Sequence, residues 1–164
     1  EIAWFNSGEV AQFPALFSEE KVTQAGIDSS AAKLLPKGSV IISIVRHLRA
    51  SILAVDASFN QSVVGLYETD TLKKSYLYPY LTHELPRLMS LRTGAQQPHI
   101  NKGIVDSSQI VIPSVEVLEK YYSSVDSIFE KINVTAQESM KLNELREWLL
   151  PMLMNGQVRV KSTD

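Results

Sequence analysis

The chain has 164 residues, 45% hydrophobic and 21% charged, which suits one ordinary core with or without an appendage and argues against a long disordered region. No run approaches the roughly 20 apolar residues that would span a bilayer, and the absence of cysteine excludes disulfides, thiolate zinc sites and cysteine nucleophiles. A formal charge of -2 and a pI near 6.0 write no molecule-wide attraction to nucleic acid into the chain, and a soluble, cytoplasmic protein is expected.

Acidic residues dominate the opening (Glu1, Glu9, Glu19, Glu20 and Asp28), and Glu19-Glu20-Lys21 reads as solvated surface. The Pro36-Lys37-Gly38 turn introduces Ser39–Val45, a buried-strand candidate. Ile52–Val55 and Ser62–Tyr67 are two further strands, rich in β-branched residues. Between the first two lies a basic hairpin loop, Arg46-His47-Leu48-Arg49-Ala50-Ser51. From Leu72 to Leu91 the apolar spacing becomes helical, with Pro79 and Pro86 expected to kink or divide the helix and Gly94 to close the unit. Ile110-Val111-Ile112 reads as a last short strand before Pro113. A second basic run, Lys73, Lys74, Arg87, Arg92 and Lys102, crosses this region.

After Pro113 the composition turns helical, with no proline or glycine until Pro151 and Gly156. Ser114 is placed to cap, Glu116 suits a first turn, and Val117, Leu118, Tyr121, Val125, Ile128 and Ile132 form an apolar face. Asn133 to Lys141 is polar, so one helix has an exposed middle or two helices meet near Asn133. Leu142, Leu145, Leu149 and Met152 then follow the spacing of a coiled-coil seam, widened by Leu150 and Leu153, and Gly156 ends the helix. The expected division is a domain over 1–113, a helical spacer over 114–160 and a tail over 161–164.

Enzymatic machinery is not legible. There is no Walker loop, Rossmann fingerprint or nucleophile elbow. His47, His83 and His99 lack metal-ligand spacing, so neither a metal nor another cofactor is expected, and no catalytic residue is assigned.

Several passages, in order, resemble the DNA-specificity subunit of type I restriction-modification systems. Gly26-Ile27-Asp28-Ser29-Ser30-Ala31-Ala32-Lys33-Leu34-Leu35-Pro36-Lys37-Gly38-Ser39-Val40 looks like that family's run into a strand, and Asn60-Gln61 sits where it has an Asn-Gln. Gly94-Ala95-Gln96-Gln97-Pro98-His99-Ile100-Asn101 is similar to its Gly-x-x-Gln-x-x-Ile-Asn passage, and Ile110-Val111-Ile112-Pro113 to the opening of its spacer. The run from Leu142 to Val160 looks like the end of that spacer. Two departures stand out: Val117-Leu118-Glu119-Lys120 replaces a usual Glu-Gln pair, and the bulky Arg46-His47-Leu48-Arg49 lies where relatives often carry a glycine.

The resemblance implies an α+β fold: a mixed, mostly β target recognition domain followed by a long α-helical spacer that forms a coiled coil. It implies a non-catalytic subunit that reads one half of a bipartite duplex DNA target. Its partners would be modification subunits that methylate adenine using S-adenosylmethionine, an ATP-driven restriction subunit, and a second specificity half or a second copy of the chain. Base reading would fall to Arg46, His47 and Arg49, with Gln96, Gln97 and His99 behind them, and phosphate positioning to Lys73, Lys74, Arg92 and Lys102. Helix packing would fall to Ile128, Ile132, Leu142, Leu145, Leu149 and Met152. Asn60 and Gln61, belonging to a shared pattern, are expected to form a structural turn. The start at Glu1 reads as a piece of the C-terminal half of such a subunit, or a half-length subunit that dimerises. The target domain of a fused restriction-methyltransferase is an alternative, and a coiled-coil module unconnected with DNA is another.

Overall fold

The computed structural model describes residues 1–159, so the expected tail lies outside the described residues. Two three-stranded sheets carry the β structure. In the first, β1 (Ile2–Phe5) lies between β2 (Glu20–Val22), antiparallel, and β5 (Ala57–Phe59), parallel. In the second, β3 (Val40–Ser43) lies between β4 (Ala50–Ile52) and β6 (Val63–Leu66), antiparallel to both. The helices are α1 (Gln24–Asp28), α2 (Lys74–Ser90), α3 (Lys102–Asp106) and α4 (Val115–Met154).

Strand β3 is the hub because it is covered on both faces, which explains its unbroken apolar run. Val40 and Ile42 enter one core with Ile44, Leu48, Ile52 and Val64, closed by Leu77, Leu81 and Leu88 of α2. Ile41 points the other way, into a second core with Phe5, Leu35, Leu53 and Ala57. Gly65 on neighbouring β6 lets Leu35 approach: a Cβ there would lie 2.0 Å from a Leu35 methyl. Buried serines tie the loops down. Ser43 Oγ donates to the His47 carbonyl at 2.8 Å and accepts from Arg49 N at 3.0 Å, and Ser51 Oγ donates to the Gln12 carbonyl.

Three of the four expected strands appear, with shifted ends. β4 starts at Ala50, and Leu53 instead bonds Ser39 and bridges Ala15. β1, β2, β5, α1 and α3 had no counterpart in the sequence reading, and the domain is mixed rather than mostly β. The expected strand at Ile110–Ile112 does not form. That segment hangs from α2, with Tyr76 Oη donating to the Val111 carbonyl and Tyr80 Oη to the Gln109 carbonyl, both at 2.7 Å. Val111 is 77% exposed and has no strand beside it.

Helix α2 is not divided by its prolines. Pro79 removes the N–H that would bond the Ser75 carbonyl, and Tyr121 Oη of α4 supplies the missing donor at 2.8 Å. The end of α2 lies at Ser90; Gly94, at φ 94°, instead serves the following loop.

Helix α4 is one continuous element of 40 residues, roughly 60 Å long, with no break near Asn133. Its first half docks through Leu118, Tyr122 and Phe129 rather than along the whole expected face; Val117 and Ile128 are more than half exposed. Ser114 occupies the cap position without a side-chain cap bond. Gly156, at φ 71°, closes the far end: its N–H donates to the Leu153 carbonyl and that of Gln157 to the Met152 carbonyl, the paired bonds of a Schellman motif.

Candidate nucleic-acid interface

Three loops meet at one end of the domain. The β3–β4 hairpin carries Arg46, His47 and Arg49; the β5–β6 turn is Asn60-Gln61-Ser62; and the loop from α2 to α3 carries Arg92, Gln96, Gln97 and His99. Backbone bonds lace them together. Ile44 N donates to the Ser62 carbonyl at 2.9 Å, Arg46 N to the Pro98 carbonyl at 2.7 Å, and Ile100 N to the Ile44 carbonyl at 3.0 Å. Thr93 and His99 exchange backbone bonds of 2.9 and 3.0 Å. Leu48 and Ile100 sink into the core beneath, so the loop tips stand on packed roots.

At this corner Arg46, His47, Arg49, Gln96, Gln97 and His99 are exposed and Arg92 is half-buried. Among the described residues none of its three arginines has an acidic partner within ion-pair distance. Arg46 holds φ 60°, a conformation that a side chain with a Cβ adopts at a cost. It is pinned there by its N–H bond to Pro98 and by Arg92 Nη1, which donates to its carbonyl at 2.8 Å. The corner therefore offers guanidinium forks, carboxamides and imidazoles on a fixed frame. These groups match donor and acceptor patterns along base edges and can also bond phosphates.

The remaining expected cations sit elsewhere. Lys73 and Lys74 begin α2, roughly 25 Å along its axis from Arg92, and both are partnered. Lys73 Nζ is 2.8 Å from Asp126 Oδ2 and lies over the Tyr122 ring at 4.7 Å, while Lys74 Nζ is 3.8 Å from Glu68. Lys102 opens α3, 3.6 Å from Asp106, and borders a separate groove with Trp4, Lys33 and Tyr67. Among the described residues no cluster of three or more His, Asp or Glu is arranged to hold a metal ion.

The Lys73 end of α2 is the anchor of α4. Asp126 accepts from Ser75 Oγ at 2.6 Å as well as from Lys73, and Tyr122 Oη accepts from Lys73 N and donates to the Thr71 carbonyl. Burial pushes the Asp126 carboxyl up, but hydrogen bonds from Lys73 and Ser75 and the Lys73 charge outweigh it, leaving it below its ordinary value. The hydrogen bond to Asp126 raises the Lys73 ammonium. Sequence reading missed this anchor, although Leu118, Tyr122, Asp126 and Phe129 recur at helical spacing on one face.

Beyond the anchor the far half of α4 is largely exposed. Leu142 is 65% and Trp148 59% exposed, Leu145 is about half exposed, and Leu149 and Met152 are half-buried. Ile132 is half-buried near Phe13 and Phe129, while Ile128 faces solvent.

A sequence model of the type I restriction modification DNA specificity domain matches residues 1–144. The chain belongs to that family. It is 26% identical over 145 residues to the type I restriction enzyme HindI specificity subunit of Haemophilus influenzae, an alignment covering 85% of this chain and 31% of that protein. It is also 30% identical over 89 residues to the type I restriction enzyme MjaIX specificity subunit of Methanocaldococcus jannaschii, covering 54% of this chain and 21% of the relative. The chain thus spans about a third or less of the length of these curated relatives. Among the described residues no helix is long and apolar enough to cross a membrane.

Proposed function

We propose that the chain is the target-reading part of a type I specificity subunit and recognises one half of a bipartite duplex DNA site through the three-loop corner. The convergence of Arg46, His47, Arg49, Arg92, Gln96, Gln97 and His99 on two mutually bonded loops carries this reading. Arginine and glutamine reach guanine and adenine edges in the major groove, while spare cations set the register on phosphates. Lys102 is a peripheral phosphate contact. Lys73 belongs to the anchor of α4 and Lys74 pairs with Glu68, so the charges of both are met within the chain.

The domain over 1–113 reads, and the helix from 114 onward spaces. The apolar stripe of Leu142, Leu145, Leu149 and Met152 pairs as a coiled coil with the matching helix of a second specificity half or a second copy. That pairing holds two reading domains at a fixed distance. The chain itself does no chemistry: modification subunits that methylate adenine and a restriction subunit dock on the assembled protein in the cytoplasm.

The test is a genome-wide map of methylated adenines in cells expressing the intact parent subunit with its modification partner. Replacing Arg46, His47 and Arg49 together by alanine should alter or abolish one half of a split motif. A motif unchanged by that replacement would sink the reading. Removing one helical turn from α4 between 134 and 141 should change the gap between the half-sites and leave their sequences intact.

A further inference from the structure

The turn Asn60-Gln61-Ser62 divides its two carboxamides between different tasks. Asn60 spends its own inside the turn: Oδ1 accepts from Ser62 N at 3.0 Å and from Ser62 Oγ at 2.6 Å, while its carbonyl takes Val63 N. Its N–H donates to the Phe5 carbonyl, tying the turn to β1. Gln61 is left at the tip, exposed, on a backbone locked from both sides. It lines an open cleft of about 290 Å³ with Ser7, Val45, Arg46, Ser62, Gln97 and His99.

The cleft walls combine complementary chemistry. Among the described residues the carboxamides of Gln61 and Gln97 make no hydrogen bond within the chain. His99 Nδ1 is 3.1 Å from the Gln97 carbonyl. A carbonyl only accepts, so Nδ1 is the donor in this contact. Arg46 adds a guanidinium held on a strained backbone. Two unengaged carboxamides, each with donors and an acceptor, beside a guanidinium and an imidazole suit the edge of a base, which presents adjacent donors and acceptors, better than a phosphate, which presents acceptors only.

We infer that Gln61 is a specificity-determining residue, reading one adenine edge in the major groove through its carboxamide, with the cleft as the seat of that base pair. A glutamine carboxamide donates to N7 and accepts from N6 of adenine in one bidentate pair. This inference rests on the proposed reading of DNA by the three-loop corner.

The experiment compares three versions of the intact parent subunit, each with its modification partner: Gln61→Ala, Gln61→Glu and the triple alanine at Arg46, His47 and Arg49. Adenine methylation is mapped genome-wide, and thermal unfolding confirms that each variant is folded. Gln61→Ala should relax a single base position of one half-site, with about ten- to a hundredfold loss of discrimination there. Gln61→Glu, which can only accept, should shift preference at that position towards cytosine, whose N4 amino group donates. If Gln61→Ala leaves the motif intact, or weakens methylation equally at all sites, while the triple variant alters a half-site, Gln61 does not read a base and the corner still reads DNA. If neither Gln61→Ala nor the triple variant changes the motif, the inference and the reading beneath it both fail.

Discussion

Tyr121 of α4 donates its hydroxyl to the Ser75 carbonyl of α2, the one that Pro79 leaves without an N–H partner, at 2.8 Å. The proline that would weaken α2 thereby becomes an attachment point for the long helix. Removing that hydroxyl strands a part-buried carbonyl. Tyr121→Phe should cost about 1–2 kcal/mol in chemical denaturation. In a Pro79→Ala background the backbone N–H restored at that position can bond the Ser75 carbonyl, so the same change should cost markedly less. Equal costs in the two backgrounds would show that the hydroxyl does not substitute for the missing amide.

The bond from Arg92 to the Arg46 carbonyl holds a left-handed residue at the reading corner. Glycine adopts that conformation without the penalty of about 1 kcal/mol that a side chain incurs, but it has more freedom to lose on folding. Arg46→Gly should therefore be at least as stable as Arg46→Ala in thermal unfolding, while both lose target discrimination in methylation mapping. Arg92→Ala should reproduce part of that loss, because it frees the Arg46 backbone and leaves the Arg46 guanidinium in place.

The Lys73–Asp126 anchor predicts how the attachment of α4 responds to pH. The Asp126 carboxyl titrates below its ordinary 3.8, so its contribution is complete above that pH and is lost as pH falls through the folded value. The Lys73 ammonium titrates above its ordinary 10.5, so its contribution persists below that pH and vanishes as pH rises through the folded value. The urea midpoint should be insensitive to this pair between the two limits. Asp126→Asn should lower that midpoint slightly at pH 7 and reduce its fall below pH 3.8. An acid limb identical to that of the unaltered chain would exclude Asp126 as a contributor.

Leu142 and Leu145 are exposed on the far half of α4 and belong to neither buried core, so charging them should leave the domain standing. Leu142→Asp with Leu145→Asp should shift unfolding free energy by less than about 0.5 kcal/mol per site. The same pair should abolish helix pairing in analytical ultracentrifugation of the intact subunit. A large loss of domain stability would mean that the stripe serves the fold rather than a partner.

The sequence by itself determined the elements whose signal is local. Val40 to Ser43 could be read as a buried strand because a strand covered on both faces carries apolar residues without alternation. The hairpin after it, and the helix closed by Gly156, were legible because turn and cap chemistry act over a few residues. Only the tertiary structure decided matters that depend on contacts distant in the chain. It kept α2 whole despite Pro79, because the missing donor comes from Tyr121, and it hung 109–111 on the tyrosines of α2 in place of a strand. It also sorted the cations. Along the chain Lys73, Lys74 and Arg92 are alike, but Asp126 and Glu68 fold against the first two, while Arg92 is brought under the loop of Arg46. Asn60 and Gln61 separate for the same reason: the turn consumes one carboxamide and presents the other to the cleft. Whether a polar group is free to meet a partner depends on what else the fold brings within hydrogen-bonding distance, and that is a property of three-dimensional neighbours.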